Sequence, residues 1–263
     1  MLHERICVNG MSTRFWTLEQ DLALYTELGV HSATIPYGKV AEAGPDAAAM
    51  IARSHVRPVL LGGGPATPLM GGLDAVGKAI DAARATGFPT FYSISGPAPG
   101  GAPTDHAYDA LVAALGPICT YAASRNVRIA IENNSIATRG HGFVHTLADS
   151  ISLADDTGVA ICLELQNCWY ERHLPAMFVQ SADRLAMVQV SDFKVGEDLR
   201  LNRAVPGDGD MPLEWMLQEL LNAGYQGLFD IEVLGPRIED EGYQAAIWRS
   251  AEWLSDRFAR WGV

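Results

Sequence analysis

The 263-residue chain is short of several things, and each shortage narrows what it can be. It has four cysteines, Cys7, Cys119, Cys162 and Cys168, with no CxxC pair and no zinc-type spacing, so neither a disulfide framework nor a thiolate metal centre is expected. Cys7 and Cys162 lie inside apolar, strand-like runs and read as reduced, buried thiols. No apolar run approaches the roughly 18–20 residues of a membrane-spanning helix, and no basic segment leads into an apolar stretch with a cleavage site near Met1, so a soluble, cytoplasmic protein is expected. Positive charge is scarce, 19 Lys and Arg against 31 Asp and Glu for a net charge of -12, which on average repels phosphate backbones and anionic lipid; nucleic acid and membrane are not expected partners. The glycines Gly62, Gly63 and Gly64 before Pro65 match neither GxxxxGK[ST] nor GxGxxG, and read as a hinge or a pocket floor. No Pro/Ser/Gly tract, charge block or low-complexity segment divides the chain, so residues 1–263 are expected to form one domain.

What the chain does have is alternation. Short β-branched or apolar runs at 5–9, 31–36, 57–62, 89–95, 127–132, 159–165, 185–191 and 227–233 predict eight strands. Between and after them, amphipathic stretches at 17–28, 45–54, 72–86, 105–124, 146–157, 174–182, 212–223 and 239–260 predict helices. Thr17 ahead of Leu18-Glu19-Gln20 has the form of a capping box, and Gly29, Gly87, Gly158 and Gly224 stand where helices end. Eight strand–helix units in one uninterrupted chain favour an α/β fold closed into a single (β/α)8 TIM barrel over an open, doubly wound sheet.

Barrel enzymes carry their reacting groups at the carboxyl ends of strands. The last four strand runs end in Glu132, Glu164, Gln189 and Glu232. Three carboxylates converging on one mouth would repel one another and raise one another's pKa, a conflict that a divalent cation resolves. Three carboxylates and an amide oxygen make an all-oxygen set, which suits one hard ion such as Mn2+ or Mg2+, with Zn2+ or Co2+ as alternatives. For any one of these glutamates taken alone, a solvated strand end or a salt bridge is the plainer account.

At these residues the sequence resembles the xylose isomerase-like TIM barrels, a superfamily that includes ketose 3-epimerases, hydroxypyruvate isomerase, inosose dehydratase and endonuclease IV. The segments that carry the resemblance are IENN at 131–134, CLELQN at 162–167, VQVSD at 188–192, PGDGDMPLEWMLQELLNAGYQG at 206–227 and FDIEV at 229–233. The resemblance implies metal coordination by Glu, Asp, His and Glu at four strand ends, which here fall on Glu132, Glu164, Gln189 and Glu232. Glu164 thus stands where aspartate is usual and Gln189 where histidine is usual, the latter resembling the hydroxypyruvate isomerase branch. Asn167 stands where many relatives have a histidine; it can hydrogen-bond a substrate hydroxyl but cannot take up a proton near neutral pH. None of the seven histidines ends a strand run, which argues against the three-zinc endonuclease branch.

The resemblance also implies a reaction: isomerisation or epimerisation of a sugar or other small polyhydroxylated carbonyl compound through a metal-stabilised enediolate, with Glu132 and Glu232 as the acid/base pair. His145 after the loop 134–144, Arg203 ahead of Pro206-Gly207-Asp208-Gly209-Asp210, Asn167 and Trp169 are the candidate substrate contacts. Lys194 and Arg200 are further cations after strand seven, and Phe15, Trp16 and Tyr170 further aromatics. Asp210 reads as the cap of the helix near Pro212. Two other readings stay open. The same enediolate can expel a β-substituent, making the protein a lyase or dehydratase, and the departures at Asn167 and Gln189 suit a non-catalytic subunit that binds a sugar or a partner. Relatives of this kind are often dimers or tetramers, so a homo-oligomer is the implied assembly.

Overall fold

A computed structural model describes residues 2–64, 66–197 and 202–263 of the chain. Each of the eight apolar runs forms a strand: β1 (Ile6–Asn9), β2 (Ser32–Pro36), β3 (Arg57–Gly62), β4 (Thr90–Ser93), β5 (Arg128–Glu132), β6 (Ala160–Glu164), β7 (Leu185–Val190) and β8 (Phe229–Ile231). They pair in parallel in chain order, and β8 returns to β1 through Ile6 opposite Phe229 and Val8 opposite Ile231. The sheet is therefore a closed barrel with no free edge.

The helices are α1 (Leu18–Leu28), α2 (Tyr37–Ala43), α3 (Ala47–Arg53), α4 (Gly72–Thr86), α5 (Thr104–Ser124), α6 (Leu147–Thr157), α7 (Leu174–Ser181), α8 (Leu213–Asn222), α9 (Pro236–Glu241) and α10 (Tyr243–Trp261). Local chemistry sets their ends. Thr17 accepts from the Gln20 N–H while the Gln20 side chain accepts from the Thr17 N–H, the reciprocal capping box that the spacing predicts. Gly29, Gly87 and Gly158 close α1, α4 and α6 in the left-handed conformation. Two features differ from the pattern reading. α2 was not foreseen, because its seven residues are too few to establish a period, and the stretch 239–260 is two helices hinged at Gly242, whose φ of 95° leaves the helical region. Among the described residues no helix is long and apolar enough to cross a membrane.

Two cores follow from the period of two along each strand. Outward-facing side chains such as Ile35, Phe91, Ile131 and Phe229 pack under the helices. Inside the barrel, Cys7, Leu60, Tyr92, Ala130, Ala160, Cys162 and Met187 form a separate cluster. Going two residues further along the strands from Cys7, Ala130, Cys162 and Met187 gives Asn9, Glu132, Glu164 and Gln189, so the polar layer sits directly on the apolar barrel filling. All four cysteines are free; Cys7, Cys162 and Cys168 are buried and Cys119 is half-buried, as the spacing implied.

Candidate active site

Register brings the strand-end residues together. Glu164 is the direct partner of Gln189 across β6 and β7, and Gln189 is the partner of Asp230 across β7 and β8, which sets Glu232 one step above. Glu132 is opposite Cys162, two residues below Glu164 on the same face. Glu164 and Gln189 are fully buried, Glu232 is nearly so, and Glu132 is half-buried at the rim. The Gln189 amide donates to Glu232 Oε2, and Asn133 clamps β5 to β6 by exchanging two hydrogen bonds with the Glu164 backbone at 2.8 and 3.1 Å.

The principal cation of the mouth is Arg203. Its Nη1 lies 2.5 Å from Glu164 Oε2, 2.9 Å from the Glu232 carbonyl and 3.4 Å from Glu232 Oε1. Burial by itself would pull the Arg203 pKa down, but Glu164, Glu232 and Glu132 outweigh it and hold the guanidinium firmly charged. One positive charge does not balance three carboxylates. Burial, then the neighbouring Glu232 and Glu164, push Glu132 well above the usual carboxylate range even with Arg203 nearby. Burial likewise pushes Glu232 up to about 7, Arg203 and the Gln189 hydrogen bond opposing it.

Sequence reasoning missed three members of this constellation. Asn9, at the end of β1, donates from its amide nitrogen to Glu232 Oε2 at 3.1 Å and Asp230 Oδ2 at 3.0 Å, and lies 3.4 Å from the Tyr92 hydroxyl. Asp230 is fully buried, and burial followed by repulsion from Glu232 raises its pKa to about 8. Tyr92 completes the floor and depends on Gly62, where a Cβ would come within 2.9 Å of the Tyr92 ring. The signal for Asn9 was present, since it is the first polar side chain after the apolar run of β1, and a step of two back from Glu232 would have found Asp230. The glycine run is thus the seat of an aromatic ring; Pro65 lies outside the described residues.

The other candidates separate. Arg203 is in the site, paired with Glu164 and Glu232. His145 is buried and used by its own loop: Nδ1 is 2.7 Å from the Asn134 carbonyl and Nε2 is 3.3 Å from Arg139 Nη1. Asn167 is buried beside β5, donating to the Asn133 carbonyl at 2.8 Å. Trp169 is half-buried and packs on Phe193 and Tyr170. Phe15 is exposed beneath the Arg14 guanidinium, Trp16 meets Tyr243 edge to face, and Lys194 is exposed. Arg200 lies outside the described residues.

The segment that delivers Arg203 is pinned from both sides. Asp192 and Ala204 exchange backbone hydrogen bonds, the Arg203 N–H donates to the Leu234 carbonyl at 2.9 Å, and the Asp192 carboxylate accepts from the N–H groups of Phe193, Gly207 and Met211. A Cβ on Gly209 would overlap that carboxylate, which explains the glycine. Asp210 does not cap α8, contrary to the sequence reading. It accepts from the Val195 N–H at 3.0 Å and ties the loop together, while Pro212, without a side-chain cap, precedes the helix.

Whether these residues suit a metal ion is a question of donors and charge. Oxygen donors from Glu132, Gln189 and Glu232 face a mouth where one guanidinium stands among three glutamates, and Gln189 Oε1 is a buried acceptor without a partner among the described residues. That chemistry fits a divalent ion. Glu164 is already committed, Oε1 to the Gln166 N–H and Oε2 to Arg203, and among the described residues no three His, Cys, Asp or Glu side chains stand close enough to share one ion in their present positions.

Comparisons with known proteins agree on the architecture. Protein SMc04130 from Sinorhizobium meliloti 1021 superposes with a TM-score of 0.86 at 19% identity, covering 98% of each chain. An IolI protein solved with a bound zinc atom superposes with a TM-score of 0.81 at 16% identity, over 97% of this chain and 98% of that one. An L-ribulose 3-epimerase gives 0.73 at 16% identity, over 97% and 95%. No match is found among curated proteins. A model of the xylose isomerase-like TIM barrel family matches residues 63–256, and with the closed barrel this places the chain in that family.

Proposed function

We propose that the protein is a divalent-metal-dependent isomerase or epimerase of a sugar or similar polyhydroxylated carbonyl compound, with Glu132 and Glu232 as its acid/base pair. The observation that carries the reading is the pair itself: two carboxyl groups from β5 and the end of β8 that meet at one mouth, where a single guanidinium stands among three glutamates. Two carboxyl groups on separate strands are suited to pass a proton to and from a substrate held between them. Glu132, Gln189 and Glu232 would hold the ion, and Glu164 would join them only on leaving Arg203. When bound, a divalent ion would polarise the substrate carbonyl and lower the cost of the charge that develops as the adjacent C–H ionises. Asn9 and Gln189 fix Glu232 by hydrogen bonds to Oε2, leaving Oε1 toward Arg203. One glutamate removes the proton and the other delivers it to the opposite face, a role that needs them on separate strands.

The similar structures of a zinc-bound IolI protein and an L-ribulose 3-epimerase support this class of chemistry. The test is solvent deuterium incorporation into a panel of ketoses and hydroxy-carbonyl acids with Mn2+ or Mg2+. Carbon-bound deuterium without loss of water is expected, and Glu132→Gln or Glu232→Gln should each lower the rate by about 10²–10⁴-fold. Loss of water or of an aglycone with the same two dependences would make the protein a lyase. Absence of exchange together with absence of metal binding would leave a sugar- or partner-binding subunit.

A further inference from the structure

The position of one nitrogen atom is the feature to explain. Arg203 Nη1 stands 2.5 Å from Glu164 Oε2, 2.9 Å from the Glu232 carbonyl and 3.4 Å from Glu232 Oε1, bridging carboxylates from β6 and β8 across β7. On that intervening strand, Gln189 presents a buried Oε1 with no partner among the described residues. A cationic nitrogen thus lies among the oxygens where a divalent ion would sit if Glu164 served it. Glu164 has no spare oxygen, because Oε1 is held by the Gln166 N–H at 2.9 Å. The Arg203 backbone is pinned to Leu234, and its neighbour Ala204 to Asp192, so what reaches Glu164 is the side chain alone, extended from a fixed backbone.

We propose that Arg203 is a tethered counter-ion that occupies Glu164 when no divalent ion is present, and that the ion and the guanidinium compete for this one carboxylate. The inference rests on the metal reading above and adds how that site is regulated. Without Arg203, Glu164 would be a buried, uncompensated charge, and such a charge binds a cation more avidly than one already paired. Binding of an ion to the native state is also linked to stability, so the competition has a signature that needs no substrate.

The experiment titrates chelator-treated wild type, Arg203→Gln and Arg203→Lys with Mn2+, reading bound metal by calorimetry and by the EPR signal of the free ion, and melting temperature in parallel. The expected order of affinity is Gln variant, Lys variant, wild type, with the Gln variant at least about tenfold tighter than wild type. Mn2+ should also raise the melting temperature of Arg203→Gln by more than it raises that of wild type. Folding of Arg203→Gln only when Mn2+ is supplied is the same competition read as stability, and supports the proposal. Equal or weaker binding by both variants, with wild type binding the ion, overturns it while leaving the metal reading intact. If none of the three chains binds Mn2+, the metal half of the proposed function falls and the competition with it.

Discussion

Asn9 is a neutral side chain, yet its amide nitrogen is the donor that Asp230 and Glu232 share. Replacing it with leucine would leave both carboxyls short of a donor inside the barrel, at a cost of about 1–3 kcal/mol. Because an ionised carboxylate suffers more from that loss than a protonated one, the destabilisation of Asn9→Leu should be larger at about pH 8 than at about pH 5. Chemical denaturation at the two pH values measures this, and equal losses would remove Asn9 from the electrostatics of the site. Glu132, Glu164 and Glu232 were legible because each closes an apolar run and carries a charge, and Gln189 because it closes the run between two of them. Asn9 follows the same rule but carries none, and Asp230 lies within the run of β8, so neither stood out.

Elements are held in place by contacts of a different kind. The loop after β1 is joined to α1 and α2 by Lys39, which donates to Asp21 Oδ2 at 2.5 Å and to the Thr13 carbonyl at 2.9 Å, while the Thr13 hydroxyl donates to Asp21 at 2.7 Å. Both charged groups are buried, so Lys39→Met should cost about 3–5 kcal/mol by stranding Asp21, and adding Asp21→Leu should restore most of it. Urea denaturation of the single and double variants tests the pair. β3 and β4 make a second, steric demand: Gly62→Ala would press a methyl group into the Tyr92 ring, at about 1–3 kcal/mol, and shift the hydroxyl away from Asn9. Calorimetric melting of that variant should fall accordingly, and an unchanged melting temperature would show that the ring has room to yield. Element boundaries were largely readable because caps and glycines act locally. α2 was not, because its identity as a helix depends on packing over β2 and α4 more than on any period of its own.

For the whole molecule the barrel's carboxyl layer predicts how stability varies with pH. Glu232 rises from an ordinary 4.5 to about 7 and Asp230 from 3.8 to about 8 on folding, so between those values the folded state binds more protons than the unfolded one. Stability from these groups is therefore fully present in acid and is lost as pH rises through about 7 and then about 8. The melting temperature of chelator-treated protein should fall by about 5 °C or more from about pH 5 to about pH 8, and Asp230→Asn should flatten part of that slope. A divalent ion should flatten it further by favouring the ionised forms. A metal-free profile that rises over this interval would contradict the sign assigned to both carboxyls.

Local chemistry, which is short-ranged, was enough to determine eight strands, most of their helices, the reduced cysteines and the carboxylates at the later strand ends, because period, capping and the first polar residue of a run are properties of neighbours in the chain. Closure of β8 onto β1, the sharing of Asn9 between two acids, and the placement of Arg203 on Glu164 were decided only by the tertiary structure. Glu164 and Arg203 are 39 residues apart, and their pairing depends on strand register and a pinned loop, quantities that long-range packing sets and no window of sequence contains.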